Sequence, residues 1–169
     1  EGQEGGVQVT KGQIRTKGAR GTAHIALPGR YVVYMPTVEH VGVSKRIGKD
    51  KERRRLKEVI ESMKPEKGGV VVRTLAQGLT KKKLKADVGY LVKLWSDCEE
   101  KLDANKKSRK KRKAPYLVHE EPDVVLRAAR DMFTEDVDEI VIDDPIQVEK
   151  IRAFLAEFLP ERAQDAKAY

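Results

Sequence analysis

The stretch that decides the fold is Leu27-Pro28-Gly29-Arg30-Tyr31-Val32-Val33-Tyr34-Met35-Pro36, and a second stretch, Val70-Val71-Val72-Arg73-Thr74, matches it further along the chain. Both are apolar, β-branched runs of the kind that forms strands, and each carries a small polar element. Pro28-Gly29 supplies turn residues, which predicts a hairpin between 22–27 and 31–35. The glycine would let main-chain N–H groups approach an anion closely, and an arginine beside a threonine supplies a forked cation and a hydroxyl donor.

The two stretches together predict a pocket for a terminal phosphate, provided that the strand before Arg73 lies beside the hairpin. The residues that would form the pocket are Gly29, Val33, Arg73 and Thr74. The residues alone leave a plainer alternative open. An arginine at the end of a strand is commonly a solvated side chain, and a Pro-Gly pair commonly does no more than turn a hairpin.

The composition is that of a basic globular protein. Of the 169 residues, 39% are hydrophobic and 37% are charged, and 35 Lys and Arg against 27 Asp and Glu give a net charge of +8. This balance favours a polyanionic partner, because phosphates that are neutralised by basic side chains release their counterions. Nucleic acid is therefore the expected class of partner.

Cysteine and histidine usage argues against disulfides and metals. A single cysteine, Cys98, excludes an internal disulfide and a multi-cysteine zinc site, and its place on an apolar helix stripe favours a buried apolar role. The three histidines lack the spacing of zinc ligands. No apolar run reaches the length of a membrane span. We therefore expect a reducing, cytoplasmic setting and no metal or cofactor bound by this chain.

The apolar spacing predicts an α/β (α+β) fold of small mixed sheets with packed helices, in two subdomains. The most regular element is a long helix that Thr80 caps, with apolar residues at alternating steps of four and three. A basic run over 106–113 is expected to form a mobile loop between the subdomains. The remaining predicted elements are strand 7–10, helix 50–63, strand 69–74, strand 116–119, helix 123–133, strand 139–142 and helix 145–158.

Two further polar segments each allow two interpretations. The glycine-punctuated basic connector over 11–21 could follow a phosphate backbone, or it could be a flexible linker. The run over 106–113 could bind RNA without sequence preference, or it could simply be solvated. Asp143 and Asp144 could form a metal-binding pair, but a capping role for Asp144 before Pro145 explains the pattern more simply.

The order of motifs along the whole chain resembles that of the ribonuclease E/G endoribonucleases. The motifs that carry the resemblance are Thr16-Lys17-Gly18-Ala19-Arg20, His24-Ile25-Ala26-Leu27-Pro28-Gly29-Arg30-Tyr31, Val43-Ser44-Lys45-Arg46-Ile47, Val72-Arg73-Thr74, Leu91-Val92-Lys93-Leu94-Trp95, Val118-His119-Glu120-Glu121, Val125-Leu126-Arg127-Ala128-Ala129-Arg130-Asp131 and Asp138-Glu139-Ile140-Val141-Ile142-Asp143.

The resemblance implies an internal piece of a longer enzyme. Residues 1–20 would be the end of an OB-type RNA-binding barrel and its connector, 21–125 the subdomain that senses the 5′ end of RNA, and 126–169 part of a ribonuclease-H-like subdomain. In such enzymes the sensor prefers a 5′-monophosphate. The resemblance assigns the side chains of Arg73 and Thr74 and the main chain at Gly29 and Val33 to that phosphate, and Lys17 to RNA contact.

The resemblance also implies what the piece lacks. The parent would be a homo-oligomeric, magnesium-dependent endoribonuclease that cleaves single-stranded RNA in rRNA and tRNA processing and in mRNA decay. Its catalytic aspartates and zinc-linking cysteine pair would lie beyond this chain, so we expect no catalytic residue here. The alternative is a stand-alone basic RNA-binding module that neither senses an end nor catalyses a reaction.

Overall fold

The computed structural model describes residues 5–110, 112–134 and 136–169. Lys111, part of the predicted basic loop, and residues 1–4 of the predicted barrel piece lie outside this description. The chain forms two compact units, of which the first ends at Val118 and the second runs from His119 to Tyr169. The boundary predicted from the sequence lies at residue 125.

A four-stranded mixed sheet is the centre of the first unit. The strands of this unit are β1 (Gln8–Lys11), β2 (Arg20–Thr22), β3 (Leu27–Pro28), β4 (Val32–Met35), β5 (Val41–Val43) and β6 (Gly69–Val72). The sheet has the order β3-β4-β6-β5, in which β5 and β6 are parallel and the other pairs are antiparallel. The pairing of β4 with β6 runs from Val32 opposite Val72 to Met35 opposite Gly69, so the two stretches quoted first do lie side by side.

Two helices cover the sheet. They are α1 (Asp50–Glu61), which connects the parallel strands β5 and β6, and α2 (Lys81–Lys107), which packs against β4. The predicted cap is confirmed, because the Thr80 hydroxyl accepts the Lys83 N–H at 3.4 Å. Helix α1 ends two residues earlier than predicted, although Met63 still packs on the core. The fully buried core residues include Val32, Ile47, Leu56, Ile60, Val70, Val72 and Leu84.

The basic connector is part of a hairpin and not a plain linker. Strand β2 pairs antiparallel with β1, with Gln8 opposite Thr22, and an isolated bridge joins Ile14 to Lys17 within the connector. The predicted strand over 22–27 is therefore wrong. Its first residue closes β2, and only Leu27 at its end belongs to β3.

The second unit is a small helix-and-strand assembly. Its elements are α3 (Val124–Met132), β7 (Ile140–Ile142), α4 (Pro145–Phe158), a short 3-10 helix (Pro160–Asp165) and β8 (Ala166–Ala168). Strands β7 and β8 are parallel, with Ile140 opposite Ala166. Both helix caps come from aspartates, since Asp123 accepts the N–H groups of Val125 and Leu126 and Asp144 accepts that of Ile146. The capping interpretation of Asp144 is confirmed.

Two other predictions are wrong, namely the strand over 116–119 and the loop over the whole of 106–113. Residues 116–119 form no strand, and the hydroxyl of Tyr116 instead accepts a hydrogen bond from the Asn105 side chain. The basic run is not all loop, because α2 extends through Lys107 and the Arg112 N–H donates to the Asn105 side chain. A long helix tolerates lysines at its C-terminal end, where they complement the helix dipole.

The described residues confirm an α+β fold of small mixed sheets and packed helices. Among the described residues, none of the helices combines the length and the apolar character that a bilayer crossing requires.

Candidate functional site

The hairpin turn that opens the candidate site is built from Gly29, Arg30, Tyr31 and Val32. The Gly29 N–H donates to the Val32 carbonyl at 2.8 Å, so the two linking residues are Arg30 and Tyr31. The prediction that Pro28-Gly29 supplies the turn is therefore wrong by two residues, because Pro28 belongs to β3. Proline tolerates that place because it is an edge strand, where a ladder N–H is not needed.

A buried carboxylate on α2 holds the turn in place. Asp87, which is 8% exposed, accepts main-chain N–H groups from Arg30 at 3.2 Å, Tyr31 at 2.8 Å and Val32 at 2.9 Å. Three successive N–H groups that point at one anion form a main-chain nest. The N–H groups of this turn thus bind a carboxylate of the same chain, and the predicted phosphate contact at Gly29 and Val33 stays a prediction.

Close approach by Asp87 explains the glycine. A Cβ atom built on Gly29 would lie 2.7 Å from Oδ2 of Asp87, closer than real Cβ contacts allow. Burial raises the pKa of the Asp87 carboxyl, and the three N–H donors and the charge of Arg73 offset part of that rise. A glycine is therefore required at position 29 because the Asp87 carboxylate leaves no room for a Cβ atom, and not because the backbone adopts an unusual conformation.

Arg73 joins the two stretches at the end of the sheet. Its N–H donates to the Tyr31 carbonyl at 2.8 Å, and its Nη1 donates to the Gly29 carbonyl at 2.6 Å. The guanidinium is thus held against the turn by a short bond. Thr74, the next residue, begins a 3-10 helix over Thr74–Ala76 and is exposed.

The predicted pocket residues are placed as follows. Gly29 and Arg73 touch directly, Thr74 follows Arg73 at the same sheet end, and Val33 lies in β4 opposite Val71. Lys17 lies in the other hairpin, is exposed, and pairs through its main chain with Ile14. The structure therefore places Gly29, Arg73 and Thr74 at one end of the sheet, and phosphate binding by these residues stays a prediction.

Sequence reasoning missed Asp87, although a signal was present. The apolar stripe of α2 contains Leu84 and Leu91, and Asp87 falls three residues after the first and four before the second. That spacing puts a carboxylate on the buried face of the helix. A charged residue at such a position needs a partner, and the partners are main-chain groups 55 to 57 residues away.

The remaining candidate groups have structural roles. Cys98 is buried on α2, and its burial raises the pKa of the thiol, which disfavours the reactive thiolate. Asp143 is exposed next to the capping Asp144. Across 5–110, 112–134 and 136–169, no three His, Cys, Asp or Glu side chains are grouped so that they could hold a metal ion.

Comparison with known proteins identifies the family that this chain resembles. The model of the family described as "Ribonuclease E/G family" matches residues 26–169. The chain is 37% identical over 169 residues to Ribonuclease G of Salmonella typhimurium (strain SL1344), covering 100% of this chain and 33% of that protein. It is 39% identical over 158 residues to Ribonuclease E of Escherichia coli (strain K12), covering 92% of this chain and 14% of that protein. The chain therefore spans about a third of the length of the ribonuclease G relative.

Proposed function

Because the chain belongs to the ribonuclease E/G family, we propose that it is the RNA-binding part of an endoribonuclease and that its first unit recognises a 5′-monophosphate. In this proposal Arg73 and Thr74 contact the phosphate through their side chains, and the main chain at Gly29 and Val33 borders the pocket. Lys17 contacts the RNA backbone from the neighbouring hairpin. The parent cleaves single-stranded RNA in rRNA and tRNA processing and in mRNA decay.

The observation that carries the proposal is the 2.6 Å bond from Arg73 to the Gly29 carbonyl. Guanidinium groups bind phosphate through pairs of parallel hydrogen bonds, and they do so best when their orientation is fixed beforehand. The bond to Gly29 provides such a fixed orientation, with the exposed Thr74 beside it. The chain's net charge of +8 supplies the general attraction to RNA on which end recognition would act.

Hydrolysis is assigned to the rest of the parent. The magnesium ion that the family resemblance implies is proposed to bind outside the residues described here, and no step of cleavage is derived for this chain. The cytoplasmic location and the homo-oligomeric assembly of the parent are parts of the same proposal, and they rest on the resemblance alone.

The proposal is tested by comparing two RNAs that differ only at their 5′ end. Binding of matched 5′-monophosphate and 5′-hydroxyl oligomers is measured by fluorescence anisotropy for the wild-type chain and for Arg73→Gln. We expect the wild type to favour the monophosphate by about tenfold, as for a hydrogen-bonded charge pair, and Arg73→Gln to bind both RNAs equally.

The matched control is Arg54→Gln, which removes the same charge from an exposed position on α1. This variant should keep the preference while weakening both complexes slightly. Equal affinity of the wild type for the two RNAs would contradict end sensing and would favour the alternative of a plain basic RNA-binding module. A deletion of 106–113 then tells whether that basic run supplies the affinity, since the module would lose most of it.

A further inference from the structure

Asp87 stands at the start of a chain of contacts that ends at the proposed phosphate-binding guanidinium. Its carboxylate accepts three N–H groups of the turn, and the turn presents the Gly29 carbonyl to Nη1 of Arg73. The contacts run in series from helix to turn to arginine. A change at the first contact is therefore expected to alter the last one.

Packing fixes the position from which Asp87 acts. On the same face of α2, Leu84 is fully buried, Val88 is 5% exposed and Leu91 is 1% exposed. Such a packed helix face leaves its side chains little freedom to shift. The carboxylate is thus a rigid support, and the turn, which links two short strands, takes its shape from it.

The filled nest also limits how a phosphate can bind. The N–H groups of Arg30, Tyr31 and Val32 already donate to Asp87, and the N–H of Gly29 donates to Val32. A second anion in the same nest would have to approach a buried carboxylate, and like charges in a desolvated site repel strongly. We therefore expect an RNA phosphate to bind to Arg73 and Thr74 and not in the nest.

We propose that Asp87 is the positioning residue of the 5′-phosphate pocket, which fixes the turn through three N–H groups and thereby sets the orientation of Arg73. This inference rests on the proposed function, since it explains how the same pocket is kept in shape. Asp87 itself does not touch the RNA. Its contribution is the alignment of the guanidinium before the phosphate arrives.

The test is Asp87→Asn, which keeps the size of the side chain but replaces one acceptor oxygen with a donor. An amide cannot accept all three N–H groups, so the turn and Arg73 should shift. We expect the preference for 5′-monophosphate over 5′-hydroxyl RNA to fall about tenfold, while binding of the 5′-hydroxyl RNA stays within about twofold of wild type. Asp97→Asn, an exposed position on the same helix, is the matched control and should keep the full preference.

The outcomes separate the inference from the proposed function. If the wild type prefers the monophosphate and Arg73→Gln abolishes the preference, but Asp87→Asn keeps it, the positioning role is wrong and end sensing stands. If the wild type shows no preference, both fall. A fall in thermal stability alone, with the preference intact, would assign Asp87 to stability only and overturn the inference.

A second measurement covers the case in which Asp87→Asn does not fold. Amide hydrogen exchange of the wild-type chain is followed with and without 5′-monophosphate RNA. The inference expects the N–H groups of Arg30, Tyr31 and Val32 to stay protected or to gain protection in the complex. Loss of protection at these three positions would mean that the phosphate displaces the carboxylate, and the inference would be overturned.

Discussion

At the scale of single residues, the contact between Gly29 and Asp87 shows how closely a helix side chain and a turn can be fitted. The glycine leaves the space that the carboxylate fills, and each is explained by the other. The sequence predicts that an external phosphate approaches the main chain at Gly29, whereas the group that the structure places there is the Asp87 carboxylate, and the phosphate contact stays a prediction. The difference arises because the two residues are 58 positions apart, and a pattern within a short window cannot pair them.

Gly29→Ala should destabilise the first unit by about 1 to 3 kcal/mol, the usual cost of overpacking. The added Cβ would lie 2.7 Å from Asp87 Oδ2, so either the carboxylate or the turn must move. Urea denaturation followed by circular dichroism measures the change. Gly48→Ala, where a Cβ meets nothing within 4 Å, is the control and should be close to neutral. Equal stability of the two variants would contradict the tight contact.

At the scale of elements, a charged cluster ties α1 to the segment that leads into α2. Glu52 accepts Nε and Nη2 of Arg55 at 2.8 and 2.7 Å and the Gly78 N–H at 2.9 Å, and Nη2 of Arg55 also donates to the Leu79 carbonyl. The hydrogen bonds from Arg55 and Gly78 lower the pKa of Glu52 to about 2. The cluster therefore joins α1 to the segment before α2 across an intervening strand and 3-10 helix.

This cluster predicts a loss of stability in acid. Because the pKa of Glu52 is lower in the folded chain than in the unfolded one, the ionised carboxylate stabilises the folded chain at pH values above about 4.5. This stabilisation is lost as the pH falls from about 4.5 to about 2. Glu52→Gln should cost about 1 kcal/mol at pH 7, because a charged hydrogen-bond network is lost at a partly exposed site. Unfolding free energies of wild type and variant at pH 7 and pH 2.5 should converge in acid.

The exposed Glu58→Gln on the same helix is the comparison and should show little difference from wild type at either pH. A gap between wild type and Glu52→Gln that is equally large at both pH values would show that the ionised carboxylate is not what holds α1 to the segment before α2.

Long elements with clear ends could be predicted from sequence, whereas strands β5 and β8 could not. Helices α2 and α4 were located by their caps, Thr80 and Asp144, together with apolar residues three and four apart. Strands β5 and β8 have three residues each, too few to show an alternating pattern, and both are defined by a parallel partner elsewhere in the chain. Pairing that depends on distant residues leaves no local trace.

At the scale of the whole molecule, charge and pocket are expected to act in different ways on RNA. The net charge of +8 is spread over a surface in which the 11–20 segment is exposed throughout, so it should attract any RNA backbone. The pocket is local and should distinguish only the end of the RNA. Of the candidate site, the sequence could supply Gly29, Arg73 and Thr74, and the fold was needed to supply Asp87.

Lys17→Ala should weaken binding of 5′-monophosphate and 5′-hydroxyl RNA by the same factor. Binding weakens as salt rises, so the logarithm of the association constant has a negative slope against the logarithm of the salt concentration. Loss of one phosphate contact should reduce the magnitude of this slope by about 0.7, the value per contact for single strands. Titrations between low and moderate salt measure this slope. Lys150→Ala, an exposed lysine of α4, is the control and should leave it unchanged. An effect of Lys17→Ala on the monophosphate RNA alone would contradict a backbone role.

The bond between Asp87 and the turn joins residues 55 to 57 positions apart, and this separation has a consequence for how the chain folds. Helix α2 forms from neighbouring residues, but the turn reaches its final shape only when the hairpin and the helix have docked. During synthesis the hairpin leaves the ribosome well before Asp87 does. Under the proposed function we therefore expect end recognition to arise late, after the basic 11–20 segment is already exposed, so that a nascent chain would bind RNA before it could distinguish the 5′ end.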